Sequence, residues 1–231
     1  MKNRSFIFTA VVASLLYVSC TKPQTTLSEN ERPFNPPIMG WSSWNAFLVD
    51  ISEDIIKHQA DLLVEKGLKD AGYQYINVDD GYFGKRDENG VMQANEKRFP
   101  NGMKPVADHI HSLGMKAGLY TDAGTRTCGS LWNKDSIGIG AGIYGHEPQD
   151  AQSYFGDWGF DFIKIDYCGG EVLGLDEKER YTSIRNSIDK VNKNVSINIC
   201  RWAYPGTWAK DAATSWRISG DINAHWNSLK Y

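Results

Sequence analysis

An α/β fold on a parallel sheet is what this sequence predicts, and three features predict it. Short apolar strand candidates alternate with amphipathic helical patterns from about residue 38 onward, and regular β–α alternation implies parallel strands joined by right-handed crossovers. The helical patterns stop at glycines, Gly67, Gly114 and Gly159, as helix C-termini do. Three strand candidates close on carboxylates, Asp79-Asp80, Asp166 and Asp221, which is how barrel enzymes place their active sites. Alternation alone admits either a doubly wound sheet or a barrel.

The elements follow in order. A strand is predicted over 38–44. Ser52 then caps a run carrying Ile55, Ile56, Ala60, Leu63 and Val64, stopped by Gly67. The second strand covers 73–79. Val106, Ala107, Ile110 and Leu113 repeat at helical spacing up to Gly114 and lead into a strand over 115–121. Residues 124–145 are glycine-rich and read as a long loop at the mouth of a site. Ala151, Tyr154, Phe155 and Trp158 mark the next helix, followed by a strand over 160–167. Tyr181, Ile184, Ile188 and Val191 mark another helix. Strands over 195–200 and 216–219 complete six. No solenoid repeat or low-complexity segment interrupts the pattern.

The segment Phe162-Ile-Lys-Ile-Asp-Tyr-Cys-Gly-Gly170 carries the most chemistry. Alternate strand residues share a face, so Lys164 and Asp166 point the same way, and a cation beside a carboxylate favours its ionised form. An ionised Asp at a strand tip suits a nucleophile; a purely structural ion pair is the plainer reading. Ser215-Trp-Arg-Ile-Ser-Gly-Asp221 repeats the design with Arg217 ahead of Asp221. Paired carboxylates flanking a bond are the machinery of glycoside hydrolysis. A Schiff-base aldolase would explain a strand-borne Lys164 but leaves the acids on the other strands unused.

Met39-Gly-Trp-Ser-Ser-Trp-Asn45, Asn77-Val-Asp-Asp-Gly81, Gly118-Leu-Tyr-Thr-Asp122, Lys164-Ile-Asp-Tyr-Cys168 and Ser215-Trp-Arg-Ile-Ser-Gly-Asp221 stand in one order. In that order the chain resembles glycoside hydrolase family 27, from about residue 35 to its end. The resemblance selects the (β/α)₈ TIM barrel. It implies a retaining glycoside hydrolase releasing terminal α-linked galactose, with Asp166 as nucleophile and Asp221 as acid/base. By the same resemblance Trp44 packs on the sugar, and Asp79, Asp80, Tyr120, Lys164 and Arg217 hold its hydroxyls. It also pairs Cys128 with Cys168. Arg201 stands where α-galactosidases often carry an acid against the sugar 2-hydroxyl, and is expected to contact that hydroxyl as a donor. Tyr204 would fill the space an N-acetyl group needs, which favours α-galactoside over the family's α-N-acetylgalactosaminidase activity. Six strands against the eight of a closed barrel imply a truncated product or fragment. An inactive carbohydrate-binding remnant is therefore the remaining alternative.

The composition is that of a globular enzyme: 231 residues, 41% hydrophobic, with eight Trp and eleven Tyr. A net charge of −3 offers no basic footprint for nucleic acid. The scattered His and Cys lack metal-ligand spacing, so neither metal nor cofactor is expected. Lys2 and Arg4 precede an apolar run from Phe6 to Val18, which reads as a secretory signal over 1–20. Leu16-Tyr-Val-Ser-Cys20 resembles a bacterial lipoprotein processing site, with Tyr17 where Leu is usual. The alternatives are lipidation of Cys20, giving a periplasmic or outer-membrane lipoprotein, and simple cleavage and release. Residues 21–37 are polar and proline-containing, a tether to the partial barrel over 38–231. Cys200 is expected to be a buried free thiol.

Overall fold

In a computed structural model of the protein, residues 37–229 are described; the signal, Cys20 and nearly all of the tether lie outside them. The elements run β1 (Gly40–Ser42), α1 (Trp44–Phe47), α2 (Glu53–Glu65), β2 (Tyr75–Asn77), β3 (Phe83–Arg86), β4 (Met92–Ala94), α3 (Lys104–Ser112) and β5 (Lys116–Asp122). Then come α4 (Cys128–Trp132), α5 (Glu147–Ala151), β6 (Phe162–Asp166), α6 (Cys168–Val172), α7 (Glu177–Val191), β7 (Ser196–Cys200), α8 (Ala209–Ala212) and β8 (Ser215–Trp216).

Six strands form one parallel sheet in the order β1-β2-β5-β6-β7-β8. Each new strand adds to the same side of the last. A doubly wound sheet reverses its order at a switch point; this one never does, and six strands wound one way are those of a (β/α)₈ barrel. The outer edges of β1 and β8 have no strand partner among the described residues.

Strand alternation divides the residues cleanly. On β6, Ile163 and Ile165 are fully buried on one face, while Phe162, Lys164 and Asp166 share the other. On β7, Ile197 and Ile199 are buried alike, and Ser196, Asn198 and Cys200 face as Lys164 does. Helices cover the aliphatic face: Ile56, Ala60 and Leu63 of α2, Val106, Ala107 and Ile110 of α3, and Ile184 and Ile188 of α7 join the same core. The opposite face carries the polar rows. Asn77 donates to Ser42 Oγ at 3.2 Å, and Asn198 donates to Ser215 Oγ at 2.9 Å. Gly118 is required between them, because a Cβ there would lie 1.9 Å from Asn77 Oδ1.

Local signals read from the sequence behave as expected. Ser52 Oγ accepts from the Ile55 N–H at 3.2 Å, capping α2. Gly67, Gly114 and Gly159 take positive φ just past their helices. Four expectations differ. The first strand is only β1, since the Ser43 N–H donates to the Asn77 carbonyl and Trp44 already opens α1. The last strand is only β8: among the described residues no strand lies beyond it, and Arg217 bends back to bond Ser219 O and Asp221. Residues 124–145 are no plain loop, for they contain α4 and a 3₁₀ turn, Ser136–Gly138. The helix around Ala151 continues as a π-helix, Gln152–Asp157. The antiparallel β3–β4 hairpin went unread, although Asn89-Gly90, with φ of +80° at Gly90, is its turn signal.

Candidate active site

At the carboxyl end of the sheet a cavity of about 320 Å³ opens, at the small end of the range for ligand pockets. Its charged wall is Asp79, Lys164, Asp166, Arg217 and Asp221, and Tyr120 and Trp44 line it too. Five of these lie within or just past the strands, and Asp221 lies farther on, beyond β8. Trp44, the first residue of α1, completes the set.

Lys164 is the hub. Its Nζ donates to Asp79 Oδ2 at 2.9 Å, lies 4.0 Å from Asp166 Oδ2, and sits 5.0 Å from the centre of the Tyr120 ring. Burial works against its charge, but the carboxylates of Asp79 and Asp166 outweigh burial and hold it protonated. Asp79 is fixed from the other side by its own backbone, whose N–H donates to Ser43 Oγ at 2.9 Å.

Asp166 is buried, and its Oδ1 accepts no hydrogen bond among the described residues. The expectation of a carboxyl lowered by Lys164 needs correction. Burial dominates and raises its pKa; Lys164 pulls it down, Asp79 pushes it up again, and the net direction is upward. Cys200, a buried free thiol as expected, forms the wall beside it, and burial raises that thiol far above its usual range. Arg217 Nη1 approaches Cys200 Sγ at 3.6 Å and Asp221 Oδ1 at 2.5 Å.

Asp221 differs from the expectation of a strand-end acid. It lies beyond β8 in irregular chain, with its side chain 79% exposed. It still lines the cavity with Asp166, so the cavity holds one buried acid beside a Lys and one exposed acid beside an Arg.

Two predicted sugar contacts are placed elsewhere. Arg201 pairs with Glu177 on α7, lies 3.9 Å from Glu171 on α6 and stacks over Tyr167. Two acids brought in by the preceding helices turn it from the cavity, and Trp202 lines the wall instead. Tyr204 is exposed and does not line the cavity either. Asp80 is buried behind the wall, where its Oδ2 accepts the Gly129 N–H of α4 at 2.9 Å. That bond ties α4 to the end of β2.

Cys128 and Cys168 are joined by a disulfide, as the resemblance implied, and they tie the loops after β5 and β6 together. Asp122 lies buried beneath them and accepts the N–H groups of Gly124 and Gly169. The two loops touch backbone to backbone: a Cβ on Gly124 would lie 2.1 Å from the Gly169 carbonyl carbon. Asp122 sits close to both sulfurs, but sulfurs bonded to each other supply no thiolate for a metal.

Burial raises Asp80 and Asp122 each from 3.8 to about 7. Between those pH values the folded chain holds protons that the unfolded chain has lost. Their stabilisation is therefore complete at acid pH and is lost as pH rises towards 7. Asp80→Asn keeps an acceptor for Gly129 and removes that loss. It should raise the Tm at pH 8 by roughly 5–10 °C and leave it almost unchanged at pH 4. Scanning calorimetry across pH checks this; equal shifts at both pH values would show the charge to be irrelevant.

A family model described as Alpha galactosidase A matches residues 36–231. The chain is 38% identical over 229 residues to Alpha-galactosidase A of Cellvibrio japonicus, covering 98% of this chain and 53% of that protein. It is 42% identical over 206 residues to the alpha-galactosidase of Cyamopsis tetragonoloba, covering 88% and 47%. The structure of the Saccharomyces cerevisiae alpha-galactosidase with raffinose superposes with a TM-score of 0.72 at 36% identity, over 81% of this chain and 40% of that one. The chain thus spans about half the length of the curated relatives it matches.

Proposed function

The chain belongs to the Alpha galactosidase A family, and from that membership we propose a retaining glycoside hydrolase that releases terminal α-linked galactose from oligo- or polysaccharides. The observation that carries this reading is one cavity lined by two acids in opposite surroundings. Acids whose environments differ divide the roles of a two-step displacement. Asp166, buried and with an unengaged oxygen, attacks the anomeric carbon as the leaving oxygen departs. Asp221, open to solvent, gives that oxygen its proton and later takes one from water. Lys164 and Asp79 orient hydroxyls of the galactose ring, and Tyr120 and Trp44 close its sides. Arg217 positions Asp221.

Galactose is favoured over its N-acetylated form by the relatives, which are alpha-galactosidases at 38–42% identity. For location, the reading is export, with Cys20 lipidated and anchoring the chain to a bacterial membrane. The Lys2–Val18 pattern supports export, as does a disulfide, which persists in oxidising compartments.

The test is turnover of nitrophenyl α-galactoside by purified protein, followed by proton NMR. α-Galactose is expected as the first product. β-Galactose first would sink the retaining mechanism, and absence of turnover would favour a binding remnant. Because Asp166 must be ionised to attack and its pKa is raised, kcat/KM should fall on the acid side at a pH above the ordinary carboxylate value near 4.

A further inference from the structure

Resting on the hydrolase reading above, we propose that Tyr82, which does not line the cavity, is a positioning residue for its chemistry: its hydroxyl holds the main chain of Tyr120, and Tyr120 in turn steadies Lys164 and Asp166. The geometry begins at a break in the sheet. The β2–β5 ladder runs evenly as far as the Val78 N–H, which donates to the Gly118 carbonyl at 2.8 Å. Two residues on, the same spacing would have the Asp80 N–H donate to the Tyr120 carbonyl. Instead that N–H donates to Asp79 Oδ1 at 2.9 Å. The Tyr82 hydroxyl supplies the missing bond, donating to the Tyr120 carbonyl at 2.9 Å. One phenol thus completes the sheet at the point where the backbone leaves it. That departure, through Gly81 at a φ of +112°, sends Asp79 to Lys164 and Asp80 to α4.

The hydroxyl is itself firmly held. Tyr82 is fully buried, and its ring is wedged among Phe83, Tyr154 and Trp158, with ring centres 4.0, 6.4 and 6.3 Å away. Burial, reinforced by Tyr154, Asp150 and Asp80, lifts its pKa well above the usual tyrosine value, so it stays protonated and remains a donor. Removing it would leave the Tyr120 carbonyl short of a donor in a water-free place, the costly half of losing a hydrogen bond.

Tyr120 passes the constraint on. It stands beside Lys164 in the β5–β6 register, its ring centre lies 5.0 Å from Lys164 Nζ, and its hydroxyl accepts the Cys128 N–H at 3.2 Å. Pinned at its carbonyl and at its hydroxyl, the ring gives the Lys164 ammonium a fixed face. The groups around Asp166 are Asp79 beyond β2, Tyr120 and Asp122 on β5, Lys164 on its own strand, and Cys200 on β7 with Arg217 behind it. Burial raises the Asp166 pKa and Asp79 adds to the rise; Lys164, the Cys200 thiol and the Tyr120 hydroxyl pull it down. A Tyr120 that drifts withdraws one of those downward pulls, so Asp166 would ionise at a higher pH.

Tyr82→Phe in the full chain keeps the ring and removes the one bond. Its kcat/KM on nitrophenyl α-galactoside should fall about tenfold, the scale of one buried hydrogen bond, and the acid limb of the pH profile should move to higher pH. Tyr120→Phe already lacks the hydroxyl that faces Asp166. Adding Tyr82→Phe to it should therefore leave the acid limb where Tyr120→Phe alone puts it. A lowered Tm with an unmoved acid limb, or the same shift with and without the Tyr120 hydroxyl, would overturn the proposal and leave Tyr82 a packing residue. If wild type binds galactose without turning over the galactoside, the hydrolase reading fails on its own. The pH midpoint of galactose binding by calorimetry then reads the same carboxyl: Tyr82→Phe should raise that midpoint, and an unchanged midpoint would overturn the role of Tyr82.

Discussion

Replacing Asp166 with alanine should lower kcat/KM on nitrophenyl α-galactoside by about 10⁴-fold or more, the scale of losing a nucleophile. The fold should not suffer with it. Asp166 is a buried carboxyl whose charged form is disfavoured, and Lys164 keeps Asp79 at 2.9 Å without it. The Tm of Asp166→Ala should therefore stay near that of wild type, which separates lost chemistry from lost structure. Added azide can enter the space the carboxylate vacates. A C–N bond then forms on the β face as nitrophenolate leaves, giving β-galactosyl azide. Asp221→Ala should behave differently. Its side chain is largely solvent-exposed, and nitrophenolate needs little proton assistance. Much of the activity on that substrate should survive, while activity on melibiose, with its poor leaving group, should fall sharply. β-Galactosyl azide from Asp221→Ala and not from Asp166→Ala would reverse the assignment.

What could be read from sequence divides along physical lines. Lys164 and Asp166 are two apart on one strand, so the period of the strand alone puts them on one face; so too for the Ser52 cap and the glycine stops, which are local effects. The positions that the structure places off the cavity wall depend on what arrives from elsewhere. Arg201 was assigned to the sugar because it follows Cys200, but Glu171 and Glu177 come from helices earlier in the chain and claim its guanidinium. Asp80 shares its motif with Asp79 and yet bonds α4, 49 residues on. The raised pKa of Asp166 follows from burial that a neighbouring Lys in the sequence does not disclose. The alternation pattern left the strand order open; the resemblance selected the barrel, and the pairing bears it out. Alternation is identical in a doubly wound sheet and a barrel, and only the unreversed sequence of neighbours separates them.

The double substitution Cys128→Ser/Cys168→Ser should produce the largest loss of stability. The bond closes a loop with a sequence separation of 40, and in the chain-entropy picture such a loop contributes about 3–4 kcal/mol. For a domain of this size that is roughly a 10 °C fall in Tm. Native contacts beneath the bond confine the structural effect to one end of the cavity. Gly124 and Gly169 are in backbone contact, Asp122 holds both their N–H groups, and these should keep the strands paired after the bond is gone. The α4 end of the cavity has less support. The Cys128 N–H donates to the Tyr120 hydroxyl at 3.2 Å and the Gly129 N–H to Asp80, so release of Cys128 loosens Tyr120 and the segment carrying Trp132 together. Galactose binding should therefore weaken, and at temperatures well below the new Tm. Cys200→Ser is the control, since its thiol is unbridged; it should leave the Tm under reducing and oxidising conditions equally apart from wild type. If the double variant melts within a degree or two of the parent, the glycine contact and Asp122 already hold the two loops, and the disulfide adds nothing to the fold.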